Sequence, residues 1–291
     1  MEIGNIENSP IEQTDSQLET RSEISENTEN IIINIPNGYV SVFHHKSIKT
    51  PSFKVRTSIQ EHFSDETQDD LHENMIHTSE KNLLIEDSND SIKHWIELSL
   101  PYSTKAYRCI VTLENGTISS TRTNGRLELK NKNGYVVVKN HHGDIVINKG
   151  KGKEGNVETF ETSGNLKIIS ENGDIIVNNH HGDIVINKGK GKKGNVKTFE
   201  TSGNLKIISE NGDIIVNNHK GNQEIRQLQD KDGFVITSNT GRSLQIDNYE
   251  GTTIVTNHKG DLEIERGKKI EIESFRSEEH TSELQSPNTR S

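Results

Sequence analysis

Residues 141–179 read HHGDIVINKGKGKEGNVETFETSGNLKIISENGDIIVNN, and the regular spacing of glycine within them is the main structural signal of the chain. After Gly143, an aliphatic residue stands two and four positions later, at Ile145 and Ile147, and the same offsets recur after Gly164 and Gly173. Alternation over four or five residues is typical of a short β-strand. Asn or His usually precedes the glycine, and these residue types favour turns. The repeating unit is therefore a strand followed by a tight turn.

The glycine series extends far beyond this stretch. Its members are Gly116, Gly125, Gly134, Gly143, Gly155, Gly164, Gly173, Gly182, Gly194, Gly203, Gly212, Gly221, Gly233, Gly241, Gly251 and Gly260. Three steps of nine residues and one of twelve make a period of 39, which equals two coils if each coil has two strands. A three-sided coil would scatter the long steps, whereas a two-sided coil places them all on one edge. We therefore expect an all-β protein, a flattened parallel β-solenoid of about eight coils.

The 39-residue period is also a near-exact duplication. Residues 141–179 and 180–218 match at all but two positions, where Glu154 and Glu158 correspond to Lys193 and Lys197. A whole number of coils keeps every inward residue inward, so the predicted fold tolerates such a duplication. A recent tandem duplication and an error of sequence assembly both explain the repeat.

The rest of the chain divides by composition. Residues 1–93 hold 18 acidic and 7 basic side chains, whereas the whole chain has a net charge of -10. We expect a disordered acidic tail at 1–30, N-terminal strands and a cap at 31–113 with a flexible acidic insertion at about 58–92, and the solenoid at 114–275. The insertion is expected to be a solvated loop; the alternative is a partner-binding segment, with its contacts at the apolar residues 75–76 and 83–85. The single cysteine, Cys109, is expected to be buried, and it excludes an intramolecular disulfide.

A family resemblance rests on two stretches. The run IELSLP at residues 96–101, followed by ENGTISSTRTNGRLELKNKNGYVVVKNHHGDIVI at 114–147, resembles the DUF4097 adhesin-like domain family over about residues 94–275. The resemblance implies a β-solenoid of adhesin type without a known activity. Residues 276–286 (RSEEHTSELQS) resemble a translated sequencing adapter, and we expect 276–291 to be an artefact tail. A solenoid left uncapped there would self-associate through its C-terminal edge.

The long turns carry glycine and lysine. Residues 150–155 and 189–194 match the pattern G-x-G-x-x-G, but a strand pattern follows them instead of the helix that a dinucleotide site requires. Stacked lysines at this edge form the candidate contact for a polyanion or another partner. They are Lys149, Lys151, Lys153, Lys188, Lys190, Lys192 and Lys193. No aromatic residues interleave for base stacking, which disfavours nucleic acid.

Other side chains recur with the period but do not converge. The histidine pairs at 141–142 and 180–181, with His219 and His258, are expected in turns. The aspartates that follow glycine lack the calcium β-roll consensus, and a periodic ladder does not supply the unique acidic pair of a glycosidase. Trp95, Phe160 and Phe199 are expected in the core or a cap. We therefore expect no catalytic residues, no metal site and no cofactor.

The function predicted from the sequence is a non-enzymatic, adhesin-like scaffold or interaction module that presents repeated side chains to a partner or to itself. The alternative is a carbohydrate-active enzyme on a parallel β-helix, which requires a nonrepeating acidic groove. The expected partner is a protein or an anionic glycan. With no signal region and no membrane span in the sequence, the expected location is cytoplasmic.

Overall fold

The structure is a computed structural model. It describes residues 17–45, 47–59, 75–79, 81–101, 106–150, 152, 155–191, 194–230 and 232–276. The strands of the described residues are β1 (Gln17–Glu23), β2 (Asn30–His45), β3 (Ser52–Ile59), β4 (Ile76–Thr78), β5 (Asn82–Glu86), β6 (Ile92–Pro101), β7 (Tyr107–Thr121), β8 (Gly125–Lys139), β9 (Ile145–Lys149), β10 (Val157–Ser163), β11 (Leu166–Ser170), β12 (Ile175–His181), β13 (Ile184–Lys188), β14 (Val196–Ser202), β15 (Leu205–Ser209), β16 (Ile214–Lys220), β17 (Gln223–Gln227), β18 (Phe234–Gly241), β19 (Leu244–Asn248), β20 (Thr252–Lys259), β21 (Leu262–Arg266) and β22 (Lys269–Glu273).

Each coil of the solenoid has two strands, as the 39-residue period predicts. β10 pairs in parallel with β8 and β12, while β11 pairs in parallel with β9 and β13. Val157 lies beside Val136 and Ile175, so neighbouring coils are offset by 21 and 18 residues in turn. From β7 to β22 the chain makes nine such coils, close to the eight expected.

The coils form two facing sheets, which we call the first and second sheets. The first contains β9 and the odd-numbered strands up to β21, and the second contains β10 and the even-numbered strands up to β22. β2, β7 and β8 are long enough to cross from the first sheet to the second within one strand. The edge at which the chain passes from the first sheet to the second is the long-turn edge.

The core lies between the two sheets. The alternation of each strand turns its aliphatic residues inward, and Leu127, Val136, Ile145, Ile168 and Val177 are all buried. Leu262 and Ile264, also expected inside, are only partly buried, because within the described residues β21 has a neighbour on one side alone. Cys109 is buried as expected, and burial raises the pKa of its thiol to about 12.

The N-terminal region departs from the sequence prediction. β2 lies between β6 and β7 although it precedes both β3 and β6 in the chain, so the stack begins before residue 114. β3 then adds antiparallel to β6, and β1 adds antiparallel to β3 and closes this end. Of the tail expected at 1–30, residues 1–16 lie outside the described residues, and the described part contains β1.

The apolar pairs of the acidic insertion are part of the core and are not partner contacts, which corrects the expectation. Leu83 and Ile85 of β5 are fully buried against β2, and Met75 is also buried. The insertion is therefore interrupted by ordered structure at β4 and β5, while residues 60–74 lie outside the described residues.

The glycine columns have a steric origin. Gly143 has a φ of +130°, and a Cβ there would lie 2.0 Å from the carbonyl oxygen of Gly125 in the preceding coil. One member of the predicted series is wrong: Arg242, with a φ of +67°, occupies the turn position and Gly241 belongs to β18. This displacement explains the irregular steps of eight and ten residues on either side of Gly241.

Candidate functional site: the long-turn edge and the second sheet

The long-turn edge alternates long and short connections. The long ones, at residues 150–156, 189–195 and 228–233, join β9 to β10, β13 to β14 and β17 to β18. Short connections of four residues or fewer lie between them, for example from β11 to β12. All long connections therefore project from the same edge, as predicted.

The glycine-rich pattern of these turns serves close packing. A Cβ at Gly152 would lie 1.9 Å from the carbonyl oxygen of Lys132 in the preceding coil, and one at Gly191 would lie 2.1 Å from that of Glu171. The turn carbonyl at Gly152 accepts a hydrogen bond of 2.7 Å from Asn172 Nδ2 of the next coil. Strand β10, and not a helix, follows the first turn, so the described residues do not form the phosphate-binding geometry of a dinucleotide site there.

Two of the seven candidate lysines are not on the surface, which corrects the sequence prediction. Lys149 and Lys188 are 0% and 1% exposed, because the alternation of β9 and β13 continues to the last residue of each strand. Lys190 is exposed. Lys151, Lys153, Lys192 and Lys193 lie outside the described residues.

The buried lysines stand in one inward column and are separated by Ser170. Ser170 is paired with Lys149 on one side and with Lys188 on the other. Neither Nζ has a hydrogen-bond partner among the described residues, and burial lowers the pKa of both ammonium groups. For Lys188, Asp174 opposes this effect and Lys149 adds to it. These two side chains therefore destabilise the column and do not form a contact surface.

Lys190 stands beside acidic groups. It lines a depression of about 190 Å³ together with Glu210, Asn211, Gln229 and Asp230. Glu210 belongs to a short turn and Asp230 to the next long turn, so both kinds of turn supply carboxylates and the edge is mixed in charge.

The aspartates that follow glycine form hydrogen bonds between coils. Oδ1 of Asp183 accepts from the backbone N–H of Asn204 at 2.8 Å, and Oδ1 of Asp174 accepts from that of Asn195 at 2.8 Å. Asn195 Oδ1 in turn accepts from the backbone N–H of Asp213 at 2.9 Å. Alternating Asp and Asn side chains thus satisfy backbone donors in the turns. Across the described part of the chain, no cluster of three or more His, Cys, Asp or Glu side chains could hold a metal ion.

The first histidines of the two pairs, together with His219 and His258, are in the core and not in turns, contrary to expectation. His141, His180, His219 and His258 are all 0% exposed. Each Nδ1 lies 2.8 to 2.9 Å from a threonine hydroxyl of the preceding coil, as in the pair of His180 with Thr162. The second histidines, His142 and His181, are exposed and lie near serine hydroxyls.

The buried histidine column is neutral near pH 7. His141 Nε2 lies 3.1 Å from the carbonyl oxygen of Gly125, which can only accept, so Nε2 carries the proton and Nδ1 accepts from Thr123. Burial lowers the pKa of His141, His180 and His219 from 6.5 to about 4. These buried histidines thus serve as contacts between coils and are not available for acid–base chemistry.

The three aromatic residues expected in the core or a cap have outward side chains, and Trp95 lies in the N-terminal strands. Trp95 is 40% exposed, and Phe160 and Phe199 are partly exposed on the outer face of the second sheet. Beside the two phenylalanines runs an outward row that the sequence analysis missed. It consists of Val137, Glu158, Ile176, Lys197, Ile215, Ile236 and Ile254. These residues stand three positions after the glycines, an offset that the glycine register could have identified.

Comparisons with known proteins add little to this geometry. No helix among the described residues is long and apolar enough to cross a membrane. The structure is similar to that of a putative adhesin from Parabacteroides distasonis, at 14% identity, with 89% of this chain and 98% of that chain covered and a TM-score of 0.39. It is also similar to a putative adhesin from Parabacteroides merdae, at 13% identity, 90% and 95% coverage and a TM-score of 0.36.

A third solved structure, a putative lipid binding protein from Parabacteroides distasonis, is 14% identical with 89% and 95% coverage and a TM-score of 0.31. We draw no functional argument from likenesses this weak. No protein-family model and no curated protein matches the chain, so the resemblance to the DUF4097 family is not confirmed.

Proposed function

We propose that the protein is a non-enzymatic, adhesin-like β-solenoid that presents repeated outward side chains to a partner or to another copy of itself. The observation that carries this proposal is that the aspartates and buried histidines, which could otherwise bind metal or catalyse a reaction, make structural contacts between coils. Aspartates hold backbone N–H groups of the next coil, and the first histidines of the pairs are buried against threonines. What remains outward is a pair of flat, repetitive sheet faces and one edge of projecting turns.

The long-turn edge is the proposed contact for an anionic partner, such as an acidic glycan. Its lysines are Lys151, Lys153, Lys190, Lys192 and Lys193, while the burial of Lys149 and Lys188 removes those two from the contact. Ammonium groups repeated along one edge match repeated negative charges along a polymer, and such binding weakens as salt screens the charges.

The experiment compares binding to immobilised heparin and polygalacturonate at low and high salt. The test variant replaces the five edge lysines with Gln. A matched control replaces five exposed lysines away from this edge with Gln, namely Lys49, Lys130, Lys167, Lys220 and Lys259. We expect salt-sensitive binding by the wild type and the control and about ten-fold weaker binding by the edge variant.

Two results would overturn parts of this proposal. Equal weakening in both variants, or no binding by the wild type to either polymer, would reject the edge as an anion contact. Release of new reducing ends from polygalacturonate would reject the non-enzymatic function and favour the carbohydrate-active alternative.

A further inference from the structure

We propose that the outer face of the second sheet is a self-association surface, on which two copies pack face to face with their coils running in opposite directions and Glu158 of each copy pairs with Lys197 of the other. This inference goes beyond the proposed function, and it does not require the lysines of the long-turn edge.

The face has an apolar composition and an ordered shape. Val137, Ile176 and Ile215 occupy equivalent positions on β8, β12 and β16 and point away from the core, partly exposed. Phe160 and Phe199 lie in the adjacent outward column, on the strands between them. Each of the five strands β8, β10, β12, β14 and β16 thus presents one outward aliphatic or aromatic side chain, and such a clustered apolar contribution is typical of an interaction surface.

The charges within the row are placed symmetrically about β12. Along the stack the order is Val137, Glu158, Ile176, Lys197 and Ile215, so one acid and one base flank Ile176 at one coil on either side. Neither Glu158 nor Lys197 has a hydrogen bond or ion pair within the described chain. They are two coils apart, about 10 Å at about 4.8 Å per coil, which is too far for a direct ion pair with each other.

A twofold axis that lies in the interface along β12 satisfies both charges. This rotation keeps the strand direction and reverses the order of coils, so that Glu158 faces Lys197 of the second copy and Lys197 faces Glu158 of the second copy. Phe160 then faces Phe199 of the second copy, while Ile176 faces its own counterpart. The same patch serves both partners, so the assembly closes as a dimer.

The duplication gives an independent argument for a second copy as the occupant. Residues 141–179 and 180–218 differ at only two positions, and the described one is the replacement of Glu158 by Lys197. With glutamate at both positions, the twofold axis would place like charges opposite each other. The one charge reversal on this face is therefore the change that makes the face complementary to itself, and only in the antiparallel arrangement.

The available area suits a dimer. Seven neighbouring strands of the second sheet, from β7 to β18, run parallel about 4.8 Å apart, and four of them have 7 residues. At about 3.3 Å per residue, they present about 34 by 23 Å, close to the roughly 800 Å² per partner of a standard interface.

The test reverses the charges at Glu158 and Lys197 by mutation and measures dimerisation by sedimentation velocity over a range of concentrations. We expect the wild type to dimerise. Glu158→Lys alone places lysine opposite lysine, and Lys197→Glu alone places glutamate opposite glutamate, so each variant should dimerise about ten-fold or more weakly. The double variant restores both pairs and should recover wild-type association. A mixture of the two single variants should form a heterodimer, because each then supplies the charges that the other lacks.

Cysteine cross-linking locates the face and controls for changes in folding. Ile176→Cys lies on the proposed axis and should form a disulfide between copies, whereas Val185→Cys, outward on the first sheet, should not. Circular dichroism should show the same fold for every variant. A wild type that stays monomeric, a double variant that is not restored, or single variants that dimerise as the wild type does would overturn the proposal. The last result would indicate association through another surface, such as the C-terminal edge.

Discussion

Lowering the pH from 7 to about 4 should unfold the solenoid through its buried histidine column. His141, His180 and His219 have a folded-state pKa of about 4 against an ordinary value of 6.5, because burial disfavours the charged ring. A group whose folded pKa is lowered contributes full stability above the unfolded value, and that stability is lost as the pH falls toward the folded value. The sensitive window therefore lies between pH 6.5 and about 4.

The size of the effect follows from the same values. A change in pKa from 6.5 to about 4 corresponds to about 3 kcal/mol per histidine, or about 10 kcal/mol for the three. Near the middle of the window, the unfolded chain binds about three more protons than the folded chain, so the free energy of unfolding falls by about 4 kcal/mol per pH unit. Burial also lowers the pKa of His44, His94 and His258, which steepens the dependence. A loss of this size is comparable to the whole stability of an ordinary domain.

The assay is urea unfolding at a series of pH values, followed by circular dichroism and by the fluorescence of Trp95. His180→Gln should reduce the slope against pH by about 1.4 kcal/mol per unit, because one buried titrating group is removed. The matched control is His142→Gln with His181→Gln, which removes two exposed rings that only add to the lowered pKa of His141 and His180 and should change the slope much less than His180→Gln does. A slope that is the same in wild type and His180→Gln, or one that only the exposed variant abolishes, would refute the role of the buried column.

Two further predictions concern the turns and the inward lysines. Lys149→Met or Lys188→Met should raise the free energy of unfolding by about 1 to 3 kcal/mol near pH 7, because each removes a buried amine without a partner. Since burial lowers these pKa values below 10.5, the wild type should also gain stability as the pH rises toward 10.5, and Met variants should gain less. Asp213→Ala should lower stability by about 1 kcal/mol, whereas Asp213→Asn should change it little, since an amide oxygen can still accept from the N–H of Phe234. Chemical denaturation measures all of these, and a calcium-dependent rise in the Tm of wild type alone would instead favour a metal role for Asp213.

The fold was predictable because stacking makes one local rule repeat. Glycine recurs where the backbone of one coil passes within contact distance of the next, with Arg242 as an exception, and the spacing of the 12-residue steps indicates two strands per coil. The position of β2 between β6 and β7 was not predictable, because strand order in the stack depends on long-range pairing that a periodic pattern does not encode.

Strand alternation does not predict that the buried histidines lie inside, whereas it does predict this for the buried lysines. In the second sheet, Asn179 has a φ of +53°, and this left-handed residue places His180 inside after two consecutive outward positions. Alternation alone cannot show this change. Lys149, by contrast, continues the alternation of Ile145 and Ile147, so the pattern did place it inside, and only its charge suggested the surface.

A duplicated solenoid can acquire new contacts only at its outward positions. An inward change would disturb two neighbouring coils, because each core side chain packs against the equivalent residue above and below it. An outward residue such as Glu158 has no hydrogen bond or ion pair among the described residues, so its replacement costs little stability and alters only what the face can bind. Two identical acidic copies of the face would repel a second chain placed antiparallel to the first. The lysine at 197 removes that repulsion and supplies an attraction, and this asymmetry between otherwise matching coils is why the second sheet, and not the more highly charged long-turn edge, is the surface suited to another copy of the chain.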